Sequence, residues 1–188
     1  MTSTRRMLAG AALVLGAVAP FAGSPYPPPS MHADVRSLAR EVMREEDHVT
    51  AIELAAWIRD RQPGLRVVDL RTAEEFDEYH MPGAAQMSLE ALVTARFQPG
   101  ETIVLVSQGG AHSAQGWVLL RAAGHDHVYF LRGGLDEWLE EVMSPVLPLE
   151  PTPDSAHVSE LSRYFGGVPR RGAEKTKTSV REIRRRGC

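Results

Sequence analysis

Apolar residues change their spacing along this chain, and each change marks an element. Met1 to Gly23 is an Ala-, Leu- and Val-rich run behind Arg5-Arg6, with no helical face to pack. That pattern predicts an export signal or a short membrane anchor at residues 1–23, and so a periplasmic or outward-facing anchored protein. Residues 24–32, which open SPYPPPS, form a proline-rich spacer. From Ala33 to Glu46 the residues Val35, Leu38, Ala39, Val42 and Met43 fall on one face, which predicts an amphipathic helix at the domain edge. Thr50 with Glu53 reads as the capping box of a second helix, closed by Pro63-Gly64.

Short β-favouring runs follow at 65–71, 103–106 and 127–131, separated by helical patterns. Ile103-Val104-Leu105-Val106 is unbroken, as in a strand buried on both faces. Glu74 and Glu75 mark the first turn of one intervening helix, and Ser88 to Thr94 forms another. After Gly109-Gly110, Trp117 and Leu120 recur at helical spacing until Gly124 breaks the run. Ser113 is expected to cap this helix through its hydroxyl. Strands alternating with helices predict an α/β fold with a parallel sheet of about five strands and helices on both faces. The domain is expected over residues 33–144, its N-terminal helix included. Beyond Pro145 large apolar residues thin to Leu161, Tyr164, Phe165 and Val168, which predicts a basic, flexible tail over 145–188 with at most one docked turn at Leu161 to Phe165.

Composition sharpens this picture in two places. The 188 residues are 43% hydrophobic, enough for one substantial core. A net charge of −3 hides an asymmetry, because residues 157–188 hold nine of the 21 Lys/Arg but only three of the 24 Asp/Glu. The tail is read as a solvated extension, and nucleic acid is not expected as a partner. Cys188 is the only cysteine, which excludes an internal disulfide and a cysteine-based metal cluster. The seven histidines show no metal-ligand spacing such as HExxH, so no metal or other cofactor is expected.

The chemistry concentrates in the loop between the 103–106 strand and its helix. A loop ending at a helix N-terminus faces backbone N–H groups and the positive end of the helix dipole, which favours an anion. Ser107-Gln108-Gly109-Gly110-Ala111-His112-Ser113 resembles the active loop of rhodanese-like (sulfurtransferase) domains, which runs Cys-x-x-Gly-x-Arg-Ser. Three more stretches resemble that family in order. They are a strand ending Asp69-Leu70-Arg71, the turn His80-Met81-Pro82-Gly83-Ala84, and Arg132 to Trp138. His80 is read as a turn residue tied to nearby backbone. The four span roughly residues 48 to 141 and imply a rhodanese-like fold.

In this motif the family's cysteine corresponds to Ser107 and its arginine to His112. A serine hydroxyl cannot carry the persulfide through which such enzymes transfer sulfur. The expected function is therefore that of an exported, non-catalytic module. Its loop, Ser107 to Ser113, would hold a small oxyanion, a sulfur compound or a protein partner, with membrane association possible through the N-terminus. The alternative is a sulfurtransferase or thiol-redox protein that uses Cys188. Arg184 to Arg186 would favour its thiolate, and about forty residues beyond Pro145 would let it reach the loop. Hydrolysis by Ser107 with His112 as base lacks a third group to orient the histidine.

Overall fold

A computed structural model describes residues 34–172, together with Met7, Leu8, Ala12 and Leu13, which are helical and exposed. The expectations for Arg5-Arg6, for the spacer at 24–32 and for Cys188 with Arg184 to Arg186 therefore lie outside the described residues. Among those described, no helix is long and apolar enough to cross a membrane.

The chain runs α1 (Val35–Met43), β1 (His48–Val49), α2 (Ala51–Arg59), β2 (Leu65–Asp69), α3 (Ala73–Glu78), β3 (Ala85–Gln86) and α4 (Leu89–Thr94). It continues with β4 (Thr102–Val106), α5 (Ala111–Ala122), β5 (Val128–Leu131) and α6 (Gly134–Trp138), which passes into a π-helical turn, Leu139–Met143. β6 (Val146–Leu147), α7 (Pro153–Tyr164) and β7 (Arg170–Arg171) complete it. Strands β1 to β5 form one sheet in the order β1-β5-β4-β2-β3, and every pairing is parallel. The expected α/β class and five-stranded parallel sheet are what the chain adopts.

Central β4 explains the unbroken apolar run, since Ile103 to Val106 are all buried between two helical layers. On one face Val104 and Val106 join Leu54, Leu135, Trp138 and Leu161. On the other, Ile103 and Leu105 pack with Leu92, Trp117 and Leu120. A Cβ on Gly116 would lie 3.0 Å from side-chain carbons of both Leu105 and Leu70, so glycine lets α5 lie close on the sheet. Trp117 is anchored further, its indole N–H donating to the Val128 carbonyl at 2.9 Å.

The edge helix α1 forms as expected, with Leu38 half-buried against the second layer and Glu41 paired to Arg121 at 2.7 Å. Its Val35, Val42 and Met43 stay exposed.

The flexible tail expected from residue 145 is corrected as far as Gly172. Thr152, Pro153 and Ser155 start α7 with a capping box and a proline in its first turn. Leu161 is fully buried in the first layer, and Phe165 meets the ring of Trp138 at 5.1 Å, edge to face. Composition alone understated this segment: a helix covered on one side needs few apolar residues, and its start is specified by caps. β6 and β7 then pair in parallel as a ribbon of their own.

Candidate functional site

The loop 107–113 leaves the carboxyl end of β4 and enters α5. Its path is held from the opposite side by the start of α6. The Leu135 amide donates to the Ser107 carbonyl at 2.9 Å, and the Asp136 amide to the Gln108 carbonyl at 3.0 Å. Gly133 and Gly134 make this clamp possible. Both have positive φ, 63° and 61°, and a Cβ on Gly134 would sit 2.2 Å from the Ser107 oxygen and 2.5 Å from that of Gln108. Gly110 mirrors them from the loop side. Its φ is 88°, and a Cβ there would approach the Gly133 nitrogen at 3.3 Å.

Ser107 and Ser113 are turned inward and are buried. The Ser113 amide donates to the Ser107 hydroxyl oxygen at 3.2 Å, the Ser107 hydroxyl donates to the Ser113 oxygen at 3.2 Å, and the Ser113 hydroxyl donates to the Gly110 carbonyl at 2.8 Å. The expected cap is thereby corrected. Gly110 holds the N-cap position without a side-chain bond, and the amide at the third helical position is satisfied by Ser107, reaching in from the strand end. A single hydroxyl at position 107 satisfies a helix start.

The remaining loop residues face outward. Gln108, Gly109, Ala111 and His112 are exposed, and among the described residues their backbone N–H groups make no hydrogen bond. His112, in the first turn of α5, has no side-chain partner among them either. Four amides without a hydrogen-bond partner among the described residues thus lie in one exposed turn at a helix start, an arrangement suited to an oxyanion. One group opposes this. The Asp136 carboxylate accepts from the Gln108 side-chain amide, and its second oxygen would lie 3.7 Å from a Cβ on Gly109.

The strand-end motif does structural work beside the loop. Arg71 grips Asp69 with three contacts of 2.7 to 3.2 Å and donates to the Tyr79 carbonyl at 2.7 Å, with both members of the pair buried. Tyr79 in turn accepts from the Trp138 indole at 3.0 Å. His80 binds the Phe76 carbonyl at 2.8 Å and stacks on the Phe76 ring, a turn residue tied to local backbone. Sequence reasoning missed Gly134 and Asp136 as loop-shaping residues. The pair Gly133-Gly134 was the available sign, because two adjacent glycines at a helix start imply that another backbone passes close by.

Residues 50–141 match the family model of the rhodanese-like domain. Among solved structures the chain is similar to a rhodanese-like domain from Anabaena sp., with 28% identity over 49% of this chain and 72% of that one, at a TM-score of 0.45. It is also similar to a rhodanese-like domain protein from Staphylococcus aureus, with 28% identity over 49% of this chain and 90% of that one, at a TM-score of 0.45.

Proposed function

We propose that this chain, whose residues 50–141 belong to the rhodanese-like domain family, is a non-catalytic module that binds a small oxyanion at the loop 107–113. The observation that carries the reading is the set of free amides on Gln108, Gly109, Ala111 and His112 at the start of a twelve-residue helix. Ser107 supports it from the other direction. Its hydroxyl occupies the motif position of the family's cysteine, is committed to the start of α5, and offers no sulfur to carry a persulfide. His112 stands where the motif has arginine, so the cradle lacks that permanent guanidinium charge and also borders Asp136. Binding on this reading is weak. Export belongs to the same reading on the sequence of residues 1–23 alone.

Titration with sulfate and with thiosulfate tests it, following the amide resonances of residues 108–112. The expected result is saturation in the millimolar range. His112→Arg, which adds a permanent charge and a fork of donors, should tighten binding about fivefold. No thiosulfate-to-cyanide sulfur transfer is expected above background. A loop silent at millimolar anion, an affinity unchanged in His112→Arg, or a transfer rate abolished by Ser107→Ala overturns the proposal.

A further inference from the structure

A second anion site is suggested by the C-terminal appendix, outside residues 50–141. Between α7 and the β6–β7 ribbon lies a cavity of about 260 Å³. Ser155, Ser159 and Arg163 reach it from one face of α7, spaced four residues apart, and Arg171 reaches it from the ribbon. The Arg171 guanidinium is steadied by donation to the Leu149 carbonyl at 3.3 Å. Neither arginine has an ion pair among the described residues, and no carboxylate lines the cavity. Glu160, on the same helix, is 3.8 Å from Arg59 instead.

Ser159 adds a second, independent sign. Its residue is only 9% exposed, it lines the cavity, and its hydroxyl makes no hydrogen bond among the described residues. Ser155 differs, since its hydroxyl is consumed by the Thr152 backbone. The Ser159 hydroxyl and the two guanidinium groups without ion pairs among the described residues leave donors free for an acceptor that enters the hollow. The rest of the wall is apolar and stiff, with Leu147, Pro148, Pro151 and Ala156.

We infer that this cavity binds a small organic oxyanion. Its charged head meets Arg163, Arg171 and the Ser159 hydroxyl, and its short apolar body lies against Pro148, Pro151 and Ala156. Guanidinium groups are suited to the head because their forked donors match the two or three oxygens of a carboxylate or phosphate.

The test uses the full chain and phenyl phosphate as probe, with inorganic phosphate and phenol as controls, read by backbone amide shifts. Phenyl phosphate should give saturable shifts at Leu147, Ala156 and Ser159, inorganic phosphate should bind more weakly, and phenol should not bind. Arg163→Gln and Arg171→Gln should each weaken phenyl phosphate roughly tenfold. Arg170→Gln should not, because Arg170 is exposed and does not line the cavity. Both arginines are exposed, so unchanged thermal unfolding of these variants is the expected control. Shifts confined to residues 108–112, no saturable shift at millimolar phenyl phosphate, equal affinity for phenol, or unchanged affinity in both arginine variants would overturn the inference.

Discussion

The loop 107–113 leads into α5 and the appendix 146–172 contains α7, both twelve-residue helices, yet the two helices are started by opposite means. The loop is held by backbone from elsewhere in the chain, through the α6 amides and three glycines with positive φ, while α7 is started by its own neighbours Thr152 and Ser155. Shape fixed by distant backbone leaves the loop's side chains free to differ without loss of form. An arginine and a cysteine can be absent from the motif positions, and the turn still closes. In the appendix the local sequence specifies the helix, and the arginines around its cavity supply any binding character. The first region keeps geometry and lacks permanent positive charge; the second concentrates charge on a simple scaffold.

The sharpest way to break this contrast is Gly134→Ala. The new Cβ would have to displace the Ser107 and Gln108 carbonyls and would also impose a strained positive φ. Together these should cost roughly 2–5 kcal/mol, measured by urea unfolding. A loss below about 1 kcal/mol would mean that the clamp gives way easily and that the loop's shape has another source.

Next in size are the two caps. Ser107→Ala removes the acceptor for the Ser113 amide, and Thr152→Ala removes that for the Ser155 amide, each worth about 1 kcal/mol. The two losses should differ in reach. Because Ser107 sits at the end of central β4, its loss should lower protection against hydrogen exchange in α5 and the adjoining sheet, whereas Thr152→Ala should loosen α7 and leave β4 protected. Equal loosening of the sheet by both would show that the appendix is part of the domain's cooperative unit.

The same contrast explains what could be read from the residues in advance. Sheet, helix order and loop position are legible because β4 is an uninterrupted apolar run and the capping box at Thr50 is a short local pattern closed by a glutamate. The Ser107 cap was not legible. It depends on a hydroxyl reaching six residues along the chain to an amide, so the nearer Ser113 looked like the cap. The Asp136 carboxylate beside Gly109 was hidden for a similar reason, because 27 positions separate the two residues and only the folded sheet brings them together. Helix α7 is not legible from composition, because the Pro, Ser and Arg content of its segment masks the few residues that start it and the one leucine it buries.

The smallest expected effect compares two capping boxes that differ in one atom group. In α2 the partner of Thr50 is a carboxylate, Glu53, which accepts from the Thr50 amide at 2.9 Å and from its hydroxyl at 2.7 Å. In α7 the corresponding partner is the Ser155 hydroxyl, which does not titrate. The Thr50 backbone bond, and after it the Thr50 hydroxyl, holds the Glu53 carboxyl below its ordinary value of 4.5. A carboxyl depressed in the folded state stabilises above its unfolded pKa, near 4.3, and loses that contribution as pH falls through the folded value. Glu53 is exposed, so solvent screening should limit the effect to less than about 1 kcal/mol. The stability gap between the native chain and Glu53→Ala should therefore be constant from about pH 7 to pH 5 and narrow toward pH 3. The gap for Ser155→Ala should not follow that curve, since no proton enters its box. Urea unfolding of the three proteins across this range provides the comparison, and parallel pH profiles for the two variants would mean that the Glu53 charge adds nothing to the start of α2 beyond what a neutral acceptor supplies.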